Sequence, residues 1–199
     1  MPLITRDFYT RSDVVHIARE LLGKSLITQF EGKLTSGIIT ETEAYEGITD
    51  RASHAYSGRR SERTEIMYRI GGTSYIYLCY GVHSLFNIVT NVEGIPHAIL
   101  IRGIIPVDGI QHMLERTGKK EILEDFTNGP GKVTKALGIH YSQTGLDLTV
   151  RPGKKQDPGI WLEDNGFLIN DAEIKVTPRI GVDYAGEDAF LPYRFVYKT

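Results

Sequence analysis

Two carboxylates stand two residues apart in Thr40-Glu41-Thr42-Glu43-Ala44-Tyr45, within a run whose residue types favour a β-strand. Strand alternation directs Glu41, Glu43 and Tyr45 to one face. An isolated Glu-x-Glu is also what a solvated sheet face looks like, because carboxylates are seldom fully buried. At the mouth of a pocket the same group gains a raised pKa and can take a proton from water. After Tyr45 the chain enters a long polar segment, so the pair lies near a strand end.

A second chemical feature is the aromatic run Tyr75-Ile76-Tyr77-Leu78-Cys79-Tyr80-Gly81-Val82-His83. Tyr75, Tyr77 and Cys79 share one strand face and Ile76, Leu78 and Tyr80 the other. Core packing accounts for Tyr75 and Leu78. It accounts less well for Tyr80, because Tyr80-Gly81-Val82-His83 reads as a turn that puts apolar side chains at an exposed tip, the kind of wedge that enters a base stack. A third feature is charge. The chain carries 23 Lys and Arg against 25 Asp and Glu, a formal charge of -2, which by itself disfavours a polyanionic partner. Residues 51–69 nevertheless hold Arg51, Arg59, Arg60, Arg63 and Arg69 against Glu62 and Glu65, a local +3 beside a remainder of -5. Arginine suits bidentate contact with phosphate, although a solvated loop would have the same composition.

These residues need elements to position them. Ser12 precedes an apolar stripe at helical spacing that ends at Gly23, which predicts a helix over 12–22 packed through Val14, Ile17, Ala18 and Leu21. Residues 24–30 and 34–45 read as a hairpin around Glu31-Gly32. A polar loop over 46–61 leads to a short helical stretch near 62–68 and a break at Gly71-Gly72. Strands over 74–80, 84–90 and 97–105 form a meander. Residues 108–126 carry a helical pattern broken at Thr117-Gly118, and 133–137 a short helix between glycine-rich ends. Short strands follow at 160–162, 174–176 and 194–197. This order lacks the alternation of a parallel α/β sheet. It predicts an α+β fold, a single domain over 1–199 with a curved, mainly antiparallel, open barrel-like sheet, short flanking helices and a protruding hairpin. One cysteine and scattered histidines offer no zinc spacing, and no apolar run reaches membrane-spanning length. The expectation is an intracellular protein without metal or cofactor.

Taken in order, Glu41 to Tyr45, His54, Ser57-Gly58-Arg59, Met67-Tyr68, Tyr75 to Gly81, Asn87-Ile88, Leu100-Ile101-Arg102, Asn128-Gly129-Pro130-Gly131-Lys132 and Arg179-Ile180-Gly181-Val182 form a pattern that resembles the alkyladenine (3-methyladenine) DNA glycosylase family over nearly the whole chain. The resemblance implies a monofunctional enzyme of base excision repair that flips damaged purines from duplex DNA and hydrolyses the N-glycosidic bond with a bound water. It implies Glu43 as general base, with Arg102 and the Ile180 carbonyl holding the water. Tyr45, His54 and Tyr77 would sandwich the flipped base, and Asn87 would exclude guanine through its 2-amino group. Tyr80 would fill the gap left in the duplex, with Gly81, Val82 and His83 completing the tip. Arg59, Arg60, Lys132 and Gly181 would contact DNA. The chain departs from the family's usual residues at Thr64, Tyr68 and Val82.

Flipping costs a few kcal/mol, which stacking on aromatic faces at roughly 1–3 kcal/mol per base can offset. A carboxylate beside the oxocarbenium-like transition state both aligns water and faces developing positive charge. Rival readings are a small-molecule glycosidase using Glu41 and Glu43, about 7 Å apart along the strand, and a damage-binding module without catalysis. Lys132 reads as a phosphate ligand at a helix entry rather than a nucleophile. The expected partner is double-stranded DNA containing damaged purines. The protein is expected to be a monomer without metal or membrane contact, cytoplasmic and nucleoid-associated if bacterial, otherwise nuclear.

Overall fold

A computed structural model describes residues 1–197. The helices are α1 (Arg6–Tyr9), α2 (Val14–Glu20), α3 (Ile110–Thr117) and α4 (Pro130–Leu137). The strands are β1 (Ser25–Phe30), β2 (Lys33–Tyr45), β3 (Ser74–Cys79), β4 (His83–Thr90), β5 (His97–Pro106), β6 (Gly159–Glu163), β7 (Ile174–Thr177) and β8 (Arg194–Tyr197). They form one antiparallel sheet that does not close, in the order β3-β4-β5-β2-β1-β6, with β8 joining β2 to β7. This is the α+β architecture expected, including the hairpin β1–β2 and the meander β3–β4–β5. No helix among the described residues is long and apolar enough to cross a membrane.

Val14, Ile17, Ala18 and Leu21 of the α2 region are fully buried, as their helical spacing requires. Asp13 rather than Ser12 caps this helix, its carboxylate accepting from the His16 N–H at 2.8 Å. The helical pattern over 108–126 ends at Gly118, whose φ of +71° terminates α3, and the chain beyond it is irregular up to a turn at residues 124–127. Near 62–68 only Glu65–Tyr68 coils, as a 3-10 turn. Helix α4 starts earlier than expected because Pro130 occupies the first turn, where a missing N–H costs nothing. The four-residue α1 was not anticipated.

Strand β2 positions the site by being irregular. Ile39 pairs with Ile104 and Thr42 with Ile101, while between them Glu41 faces Gly103, so Thr40 and Arg102 stand outside the pairing. Ile39 and Ile104 face the core, as do Ile101 and Thr42, whose hydroxyl donates to the Ala18 carbonyl at 2.7 Å. On each strand the interval between core-facing residues is three here, where a regular pleat has two. The bulged interval turns Glu41, Glu43, Tyr45 and Arg102 to the face away from the main core. The outer edge of β2 is covered by β1 along its first half and by β8 at Glu41, Thr42 and Glu43.

Candidate active site

The cavity beside this face has a volume of about 590 Å³. Tyr45, His54, Tyr75 and Tyr77 supply its aromatic wall; Leu85, Asn87 and Leu100 come from the meander. Opposite lie the α4 entry, Gly129 to Lys132, and the segment Ile180 to Val182. The Gly129 N–H donates to the carbonyl of the unpaired residue Arg102 at 2.8 Å, tying the α4 entry to the strand irregularity.

Glu43 is completely buried beneath this wall. Its Oε2 accepts from the Tyr45 hydroxyl at 2.9 Å and its Oε1 from the Ile180 N–H at 2.8 Å, with Arg102 Nε at 3.4 Å. All three partners line the cavity. Burial pushes the Glu43 pKa up, opposed by the Arg102 charge and the bonds from Ile180 and Tyr45. Burial, then the Glu43 charge, raises the Tyr45 phenol, keeping it a donor. The carboxylate is thus oriented by fixed donors yet holds a proton more readily than a solvated one, a property suited to a base that must accept a proton from water.

Across the cavity, His54 Nδ1 lies 2.7 Å from the Tyr75 hydroxyl, and its ring meets Tyr77 edge-on at 4.7 Å between centroids. Burial, with Arg63 and Arg59 nearby, pushes the His54 pKa down to about 4, so this wall is uncharged at neutral pH. The side-chain amide of Asn87 donates to the Tyr75 and Leu85 carbonyls at 3.2 and 3.3 Å, fixing its orientation at the cavity. The β3–β4 hairpin projects beyond: Tyr80 is 95% exposed and Val82 71%. Tyr80 and Gly81 both have positive φ, +51° and +70°, in a turn closed by the Val82 N–H donating to Cys79. A tyrosine in the left-handed region is strained by about 1–2 kcal/mol, and strain at an exposed aromatic points to use of that side chain.

The structure brings Tyr45, His54, Tyr77, Tyr80, His83, Asn87, Arg102, Lys132, Ile180 and Gly181 onto one cavity, with Glu43 beneath it and Gly81 and Val82 at the adjoining tip. Ile180 reaches Glu43 through its N–H. Arg59 and Arg60 are exposed on the 46–69 loop rather than on the cavity wall. Arg60 pairs with Glu65 at 2.5 Å and lies over the Tyr68 ring, and Lys132 pairs with Asp125 at 2.6 Å. The departures at Thr64 and Tyr68 serve that loop: both hydroxyls donate to the Arg59 carbonyl, at 3.1 and 3.2 Å. A phenylalanine at 68 would lack the second bond.

Four contributors had no role at the site in the sequence reading. Tyr75 was assigned to packing, although its alternation with Tyr77 was the signal that both face the cavity. Tyr184 lines the mouth, its hydroxyl donating to the Ala52 carbonyl at 3.1 Å. Arg179, fully buried, forms a two-pronged pair with Asp50 and lies 4.8 Å from the centre of the Tyr45 ring. Arg194 reaches Glu41 from β8, and Glu41 is buried rather than on a solvated face.

A buried, donor-oriented carboxylate under an aromatic cavity, beside an exposed tyrosine in the left-handed region, is an arrangement that suits a DNA glycosylase. Comparison with known proteins agrees. The methylpurine-DNA glycosylase family model matches residues 7–199, and the chain belongs to that family, hydrolases of N-glycosyl bonds in DNA repair. A relative from Chlamydia felis, by name a 3-methyladenine DNA glycosylase, is 45% identical over 98% of this chain and 95% of its own length. Relatives of the same name from Chlamydia abortus and Bacillus cytotoxicus are 44% and 40% identical, over 98% and 96% of this chain and 97% and 94% of theirs.

Proposed function

We propose that the protein is a monofunctional glycosylase of base excision repair. It flips 3-methyladenine, 7-methylguanine, hypoxanthine or ethenoadenine nucleotides from duplex DNA and hydrolyses the N-glycosidic bond with a water activated by Glu43. The names of its relatives support 3-methyladenine as a substrate. The observation that carries the mechanism is the set of bonds from Tyr45, Ile180 and Arg102, all on the cavity wall, to the buried Glu43. In the reaction the water oxygen bonds to C1′ while the glycosidic electron pair leaves with the base. The water proton passes to Glu43, and the product is an abasic site. A cationic methylated purine departs neutral, so its release needs no further acid; hypoxanthine and ethenoadenine, neutral in the nucleotide, leave with the bond pair as anions and take up a proton from solvent.

Tyr45, His54 and Tyr77 supply stacking faces, Asn87 meets the base edge, and the Tyr80 tip occupies the space the nucleotide leaves. Arg59, Arg60, Lys132, Gly181 and His83 face the backbone; Arg60 and Lys132 exchange their protein carboxylates for phosphate. The enzyme works as a single-domain monomer in the cytoplasm, on nucleoid DNA, without metal or cofactor. In Glu43→Gln, single-turnover base release from a duplex carrying 7-methylguanine should fall by about 10²–10⁴-fold with lesion binding retained. Undiminished release removes Glu43 from the chemistry. Failure of the wild type to free any purine from methylated DNA leaves only a damage-binding module.

A further inference from the structure

Glu41 makes contacts that the proposed chemistry does not use. Only 5% exposed, it receives two arginines on one oxygen: Arg102 Nε from β5 at 2.9 Å and Arg194 Nε from β8 at 2.6 Å. Arg194 is held in turn by the Thr177 hydroxyl of β7 at 3.1 Å. The strand partner of Glu41 is Gly103, where an added Cβ would lie 3.0 Å from the Glu41 Cβ, so the backbone leaves room for this carboxylate.

We propose that Glu41 is a positioning residue that holds Arg102 by its Nε, keeping the guanidinium beside Glu43 without closing onto it in a two-pronged pair. An arginine free to choose would take the nearest carboxylate through both prongs. Such a pair would occupy the oxygens that Glu43 needs for water. By engaging Nε, Glu41 sets the Arg102–Glu43 approach at 3.4 Å and leaves the Arg102 amino groups, on a cavity-lining side chain, available to the reacting groups. The inference rests on Glu43 being the general base.

The charged and titratable groups around Glu43 are Glu41 and Tyr45 on β2, Arg102 on β5, Tyr77 on β3, Arg179 and Tyr184 between β7 and β8, and Arg194 through Glu41. Removing the Glu41 charge favours ionised Glu43, whereas removing Arg194 disfavours it. The two substitutions must therefore displace the acid limb of the pH–rate profile in opposite directions.

The test is single-turnover release of 7-methylguanine from duplex DNA across pH by wild type, Glu41→Gln, Arg194→Gln and Glu43→Gln, with abasic-duplex affinity and thermal unfolding measured alongside. Glu41→Gln should slow release at neutral pH on the order of tenfold to a hundredfold, the scale of a small misplacement at a reacting centre. Its acid limb should move to lower pH, and that of Arg194→Gln to higher pH, with abasic-duplex affinity unchanged. Limbs that move together, or not at all, overturn the assignment, as does an unchanged rate in Glu41→Gln. If Glu41→Gln does not fold, Arg194→Gln alone decides by the direction of its shift. Activity surviving in Glu43→Gln would instead overturn the underlying mechanism.

Discussion

Replacing Asp50 by alanine tests the support beneath Tyr45. The Arg179 side chain has no exposed surface, so in Asp50→Ala it keeps its charge out of water and loses both prongs of its ion pair. Truncating one partner of a buried pair costs about 3–5 kcal/mol. Two effects act within that range. The N–H groups of Glu46 and Ala52, which donate to Asp50, lose their acceptor, which raises the cost. Arg179 keeps the Ala44 and Asp188 carbonyls at 2.9 and 3.1 Å, which lowers it. The expected loss is about 4 kcal/mol, and at roughly 2–4 °C per kcal/mol for a chain of this size Tm should fall by about 8–16 °C. The double variant Asp50→Ala/Arg179→Met removes the stranded charge with its partner and should recover part of the loss in urea unfolding. Because the Tyr45 ring lies against Arg179, the single variant should also bind a lesion duplex less tightly. A single variant melting within a degree or two of wild type, or a double variant no better than additive, refutes this reasoning.

Two further outcomes follow from the aromatic wall and the tip. The unfolded imidazole of His54 titrates near 6.5 and the native one at about 4, so neutral His54 contributes stability that is complete above the first value and lost as pH falls toward the second. Between pH 7 and 4.5 wild type should lose on the order of 2–3 kcal/mol that His54→Asn does not, measured from urea midpoints; equal losses contradict a neutral buried ring. Tyr80→Gly removes the left-handed strain of about 1–2 kcal/mol, so its unfolding midpoint should hold or rise while its affinity for an abasic duplex drops. A destabilised variant with full affinity would show that Tyr80 serves the hairpin rather than DNA.

Much of this arrangement was legible because its signals are local. Helical spacing marked the buried face of α2, and Gly118 and Gly138 marked helix ends through their left-handed backbone. The convergence of Glu43, Arg102 and Ile180 was carried only by resemblance, since 59 and 78 residues separate neighbours in that set and no periodicity links them. Arg179 and Asp50 were invisible as a pair for the same reason: each is an ordinary charged residue until the loop folds over it. Glu41 looked like a surface carboxylate because its burial depends on two arginines from other strands. The pairing of the exposed Arg60 and Lys132 with Glu65 and Asp125 likewise depends on loop geometry that composition does not encode.

The unpaired Thr40 and Arg102 behave like two dislocations of opposite sign in a crystal row. Each alone would shift every later pair by one residue. Together they cancel, so Tyr45 meets Ala98 in the same register in which Gly37 meets Pro106, and the hairpin beyond is built as though the ladder were unbroken. Deleting either residue singly would leave the other uncancelled and propagate a slip through the remaining β2–β5 pairs. Deleting both would restore a perfect ladder with the reactive face still off the core, but without the Arg102 guanidinium beside Glu43. The two unpaired residues therefore act as a unit, each keeping the other from shifting the register of β2 against β5.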